Sequence, residues 1–124
     1  MKRPWQLAGR LLLGCAALSL AACATAPRTM YAWGSYEDLI YVANAKPGSL
    51  TPEAQADQLE KDRQLAQAAG KHLPPGWHAH LASLYAASGR PDLAEQELQA
   101  EKAAFPESTT LMDRLLANLR KTKS

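Results

Sequence analysis

The sequence predicts an all-α fold, and three observations predict it. Helix starts and stops punctuate the chain: Thr51-Pro52-Glu53, Gly70, Gly89 followed by Pro91, and Phe105-Pro106. Leu111, Met112, Leu115, Leu116 and Leu119 repeat at helical spacing. No stretch alternates with period two for long enough to suggest a sheet. About five helices are expected after an N-terminal signal, arranged as antiparallel hairpins.

Residues 1–22 have the three parts of an export signal. Lys2, Arg3 and Arg10 give a cationic start without an acidic residue, and an apolar run follows from Leu11 to Ala22. A run of about a dozen residues is too short to span a bilayer and suits a signal peptide. It ends in Leu20-Ala21-Ala22-Cys23, which resembles the bacterial lipobox. That resemblance implies cleavage between Ala22 and Cys23 and acylation of Cys23. Cys15 is a poorer site, because bulky Leu13 stands where a small residue is preferred and little apolar sequence precedes it. Ala24, rather than an inner-membrane-retaining Asp, follows Cys23. The expected address is the outer membrane, lipid-anchored and facing the periplasm. Several acyl chains would make that attachment nearly permanent, since each buried CH2 contributes about 0.8 kcal/mol.

Signal removal changes the charge balance. Losing Lys2, Arg3 and Arg10 takes the 14 basic residues to 11 against 12 acidic ones, a net charge of −1 with histidines neutral. No basic excess is left for nucleic acid. With Cys15 removed and Cys23 acylated, no thiol is left for a disulfide, a nucleophile or a Cys-metal site.

Residues 23–30 read as the lipidated Cys and a short tether, and 31–124 as one domain. Tyr31, Trp33, Tyr36 and Tyr41 cluster at its start. Ser35 and Asp38 have capping-box spacing, and Lys46-Pro47-Gly48 should end the helix they open. Thr51-Pro52-Glu53 starts a second helix, expected to reach Ala69 and stop at Gly70. Its buried face is expected to be Ala54, Leu59, Ala66 and Ala69. A third helix is expected over Trp77 to Ser88 and a fourth from Pro91 to Ala104. Ser108 should cap a fifth, from Thr109 to about Lys121.

The third and fourth helices resemble a tetratricopeptide (TPR) unit, a pair of helices repeating about every 34 residues. Leu81, Ala82 and Tyr85 fall on the first helix's signature positions, Gly89 on the turn, Ala94 and Leu98 on the second helix, and Pro106 on the closing proline. Glu101 departs from the pattern, which favours a small residue there. Leu115 and Leu119 fit the first helix of a following unit.

The wider chain is similar to an uncharacterised family of small Gram-negative lipoproteins classed as a domain of unknown function. The residues that carry this are Tyr31-Ala32-Trp33-Gly34-Ser35-Tyr36, Lys46-Pro47-Gly48, Leu73-Pro74-Pro75-Gly76 with Ala79-His80-Leu81, and Glu101-Lys102 with Phe105-Pro106-Glu107-Ser108. The resemblance implies a gene neighbourhood with a curli-secretion-channel-like lipoprotein and a second small lipoprotein. It implies no catalytic residues.

No catalytic motif stands out, and no enzymatic activity or cofactor is expected. His78 and His80 lie two residues apart, which puts them on different helix faces and argues against zinc. His72 lies in a proline-rich link without an obvious partner. Glu37-Asp38, Asp57-Glu60 and Glu95-Glu97-Glu101 read as solvated helix faces. Tyr31, Trp33, Tyr36, Tyr41 and Trp77 either seal the end of the helical stack or anchor a partner, as aromatic residues often do. The expected function is an outer-membrane-anchored scaffold or accessory subunit of an envelope or secretion assembly. The alternative is a module that binds cell-wall glycan (peptidoglycan) through the aromatic cluster.

Overall fold

A computed structural model describes residues 29–123; the signal, Cys15, Cys23 and most of the tether lie outside the described residues. Five α-helices follow one another: α1 Tyr36–Ala45, α2 Pro52–Ala68, α3 Trp77–Ala87, α4 Pro91–Ala104 and α5 Thr109–Lys123. A single 3-10 turn, Pro106–Ser108, leads into α5. Among the described residues the extended pairing is one isolated parallel bridge between Tyr31 and His72. None of these helices is long and apolar enough to cross a membrane.

The helix ends follow local chemistry, with two corrections. Thr51 Oγ1 caps α2 by accepting from the Ala54 N–H at 3.2 Å. After α2, the Gly70 N–H reaches Gln67 O and the Lys71 N–H reaches Ala66 O, a Schellman-type stop. Gly89 and Arg90 repeat that arrangement on Ala86 and Tyr85 at the end of α3. Ser35 does not cap α1 with its side chain, because its hydroxyl and its N–H are both drawn to Asp62 on α2. Ser108 likewise does not cap α5; its hydroxyl donates back to Phe105 O at 2.7 Å.

Packing runs in sequence order, α2 on α3, α3 on α4 and α4 on α5, with the α3–α4 hairpin as the most extensive contact. Leu81, Ala82, Tyr85, Ala94 and Leu98 are all buried there, at the positions that carry the TPR resemblance. The small side chains Ala82 and Ala94 let the helices approach closely. Trp77, Leu59 and Leu81 are completely buried, and each such side chain contributes about 1.5–3 kcal/mol. Leu39 brings α1 into the same core.

Three expected faces are rotated or mixed. On α2 the buried stripe is Gln55, Ala56, Leu59, Asp62 and Ala66, while Ala54 and Ala69 are exposed. Ala54 lies off the stripe that meets α3, and Ala69 falls past the last helical residue. On α5, Met112 and Leu116 are buried but Leu111 and Leu115 are exposed, because α4 covers one flank of the stripe. On α4, Glu97 and Glu101 are buried rather than solvated.

Candidate functional site

The aromatic segment 31–36 is held to the helical frame at two points. The Ala32 N–H donates to His72 O at 2.8 Å, so the backbone of His72 is the partner of this segment. Three residues on, the Asp62 carboxylate takes both the N–H and the hydroxyl of Ser35. That approach needs Gly34: a Cβ there would lie 2.6 Å from the Asp62 carboxyl carbon, and its φ of +52° is left-handed.

So clamped, the rings form a row. Phe105 and Tyr31 stand 6.3 Å apart, Tyr31 and Trp33 6.3 Å, Trp33 and Tyr36 6.4 Å, and Tyr36 and the His80 imidazole 5.9 Å. Such tilted, edge and stacked pairs contribute beyond their area alone. The structure therefore joins Tyr31, Trp33 and Tyr36, and adds Phe105 and His80. It leaves Tyr41 apart at 67% exposure. Trp77 is removed from the candidate surface altogether, being 0% exposed in the core. As the first residue of α3 it points between the helices, with the Arg63 guanidinium 5.1 Å over its ring.

Behind the row lies a buried carboxylate. Glu101 is 2% exposed, and its Oε1 accepts from the Gly76 N–H at 2.6 Å. Gly76 is the N-cap residue of α3 with φ +84°, and the Tyr36 hydroxyl sits 2.9 Å from where a Cβ would be. Glu101 thus supplies from α4 the negative cap that α3 lacks locally. Burial pushes the Tyr36 phenol up, and the Glu101 charge adds to that. Burial also holds the His80 imidazole below its ordinary value.

A second polar cluster ties α2, α3 and α4 together. Arg63 Nη2 donates to Glu97 Oε1 at 2.6 Å, His78 Nδ1 donates to Glu97 Oε2 at 2.6 Å, and Arg63 also pairs with Glu60 at 3.3 Å. The Tyr85 hydroxyl donates to Glu60 Oε1 at 2.6 Å. Burial alone would raise the Glu97 carboxyl, but the hydrogen bonds from His78 and Arg63 win and hold it below the usual carboxylate range. Burial, reinforced by the Glu60 bond, pushes Tyr85 up to about 12. His78 and His80 serve different clusters, as their two-residue spacing dictates. Among the described residues no three His, Cys, Asp or Glu side chains gather as a metal-binding group.

Sequence reasoning missed Asp62, Glu97 and Glu101 as interior residues. The signal was present: Asp62 is in helical register with Leu59 and Ala66, and Glu97 and Glu101 with Ala94 and Leu98.

Two kinds of hollow mark the surface. An apolar groove of about 270 Å³ runs between α3, α4 and α5, lined by Ala82, Ala86, Ala94, Leu98, Leu115 and Leu119 among others. Clefts of about 550 Å³ and 330 Å³ flank Tyr31.

Residues 30–115 match a family described as a domain of unknown function (DUF4810). The chain belongs to that family. No curated protein and no solved structure matches it. The DUF4810 match begins at the aromatic segment and ends inside α5, so it takes in both clamps, the ring row and the buried carboxylates Asp62, Glu97 and Glu101.

Proposed function

We propose that this DUF4810 chain is a lipid-anchored interaction module, held by Cys23 at the periplasmic face of the outer membrane, that binds a segment of an envelope protein. The observation that supports this best is the groove between α3, α4 and α5. Its walls are apolar and built from small residues on α3 and α4, with exposed Leu115 along one edge. A concave apolar surface made by stacked helix pairs suits a partner helix or extended segment. Glu97 and Arg63 are engaged with each other, which favours a role in holding the helices. The resemblance nominates the neighbouring curli-secretion-channel-like lipoprotein as the partner, in an envelope or secretion assembly.

The test is site-specific photocrosslinking in living cells, with the probe at Ser83 or Asn118 in the groove and at Lys46 as an exposed control. An envelope protein captured from the groove positions and not from Lys46 supports the reading. If the groove positions capture nothing while purified sacculi retain the domain in a Trp33-dependent way, the cell-wall glycan reading replaces it.

A further inference from the structure

We infer that the end of the domain around Met30, Trp33, Leu65 and Lys71 docks on a phospholipid bilayer surface, an inference that rests on the acyl anchor at Cys23. Met30 is 71% exposed, Leu65 69% and Trp33 37%. These three side chains border the two clefts on either side of Tyr31, and Lys71 lines both clefts. The carboxylate among the lining residues, Asp62, is turned inward onto Ser35. Lys61 stands one helical turn before Leu65 on α2 and is exposed. Apolar side chains beside Trp and Tyr, rimmed by lysines with long apolar stems, are the composition of an interfacial surface.

Geometry selects the bilayer as the occupant. Six residues lie between Cys23 and Met30, so even fully extended the seven steps reach only about 25 Å. A domain of roughly 95 residues is itself about 30 Å across. The tether enters the domain at Met30, so this end is the part held nearest the headgroups. A short link also keeps the effective concentration of membrane surface in the millimolar range, and a face with weak intrinsic affinity is then largely docked. The groove shares no lining residue with these clefts: it runs along α3 from Ala79 to Ala86 beside α5, whereas the clefts are lined mainly by the 29–34 segment and α2. Docking in this way leaves it open to the periplasm.

The experiment uses the full lipidated protein in phosphatidylethanolamine–phosphatidylglycerol vesicles, with and without brominated acyl chains as the quencher. Cleavage at Cys23 leaves Trp33 and Trp77, and fully buried Trp77 is the internal unquenched reference. The expected result is quenching by brominated lipid that Trp33→Phe removes. The pair Met30→Glu and Leu65→Glu should remove it too, with helical content unchanged and the protein still membrane-bound. A mass spectrum of the mature N-terminus is read on the same sample. No acyl mass on Cys23 overturns this inference together with the anchor. Acyl mass without lipid quenching overturns docking alone. Trp33 shielded from acrylamide in native membranes, yet not quenched by brominated lipid, assigns the face to a protein and also overturns it.

Discussion

Replacing Glu101 with alanine moves the chain toward the TPR pattern, yet the structure makes it destabilising. The Glu101 carboxylate accepts the Gly76 N–H at 2.6 Å and so caps α3 from α4. A hydrogen bond to a charged group contributes about 1.5–3 kcal/mol, and its loss leaves a partly buried donor unpaired. One term opposes this. Oε2 is buried and has no hydrogen-bond partner among the described residues, so the substitution also relieves the cost of burying that charge. The net expectation is a loss of about 1–2 kcal/mol. For a domain of this size each kcal/mol shifts Tm by about 4–8 °C, so Glu101→Ala should melt roughly 5–15 °C lower. Glu101→Gln keeps an acceptor for Gly76 and should lose less. Thermal circular dichroism at neutral pH reads both variants. A phenolate absorbance titration should show Tyr36 moving partway down in each, because burial, the larger cause of its shift, remains. If the alanine variant melts at or above the parent, the buried charge costs more than the cap returns, and the assignment of Glu101 as the cap of α3 is wrong.

Other expectations test the remaining contacts. Asp62→Ala removes the acceptor for both Ser35 donors, so it should cost about 2 kcal/mol and shift Trp33 emission to the red; unchanged emission counts against the clamp. Ala94→Leu overpacks the α3–α4 contact, where Ala94 is 1% exposed, and should cost roughly 1–3 kcal/mol in a denaturant melt. His80 has a depressed folded pKa, so its share of stability is present above its ordinary value and lost as pH falls through the folded one; His80→Phe should flatten the fall in Tm from pH 7 toward 5. Tyr85 is raised from 10.0 to about 12, so its share is full below 10 and lost as pH rises through that window; Tyr85→Phe should flatten the alkaline limb. Cys23→Ser should abolish incorporation of radiolabelled palmitate, and persistent labelling would place the anchor elsewhere.

The sequence by itself determined the helices and their ends. Thr51, Gly70 and Gly89 act through bonds to residues three positions away, and Pro52 and Pro91 through a fixed φ that suits the first helical turn; such local chemistry survives any tertiary arrangement. It also determined the α3–α4 hairpin, because Leu81, Ala82, Tyr85, Ala94 and Leu98 meet across a turn too short to let the helices separate. Only the tertiary structure decided which capping groups serve which helix. Ser35 had Asp38 within local reach, but Asp62, 27 positions away, offers one carboxylate oxygen to both Ser35 donors. Glu101 likewise caps a helix whose N-cap residue, Gly76, stands 25 positions before it. The fate of the aromatic residues was also tertiary. Trp77 and Tyr41 look alike in sequence, yet one is enclosed between helices and the other stands in solvent. Burial depends on what packs against a residue from outside its own helix, and no spacing within a helix encodes that neighbour.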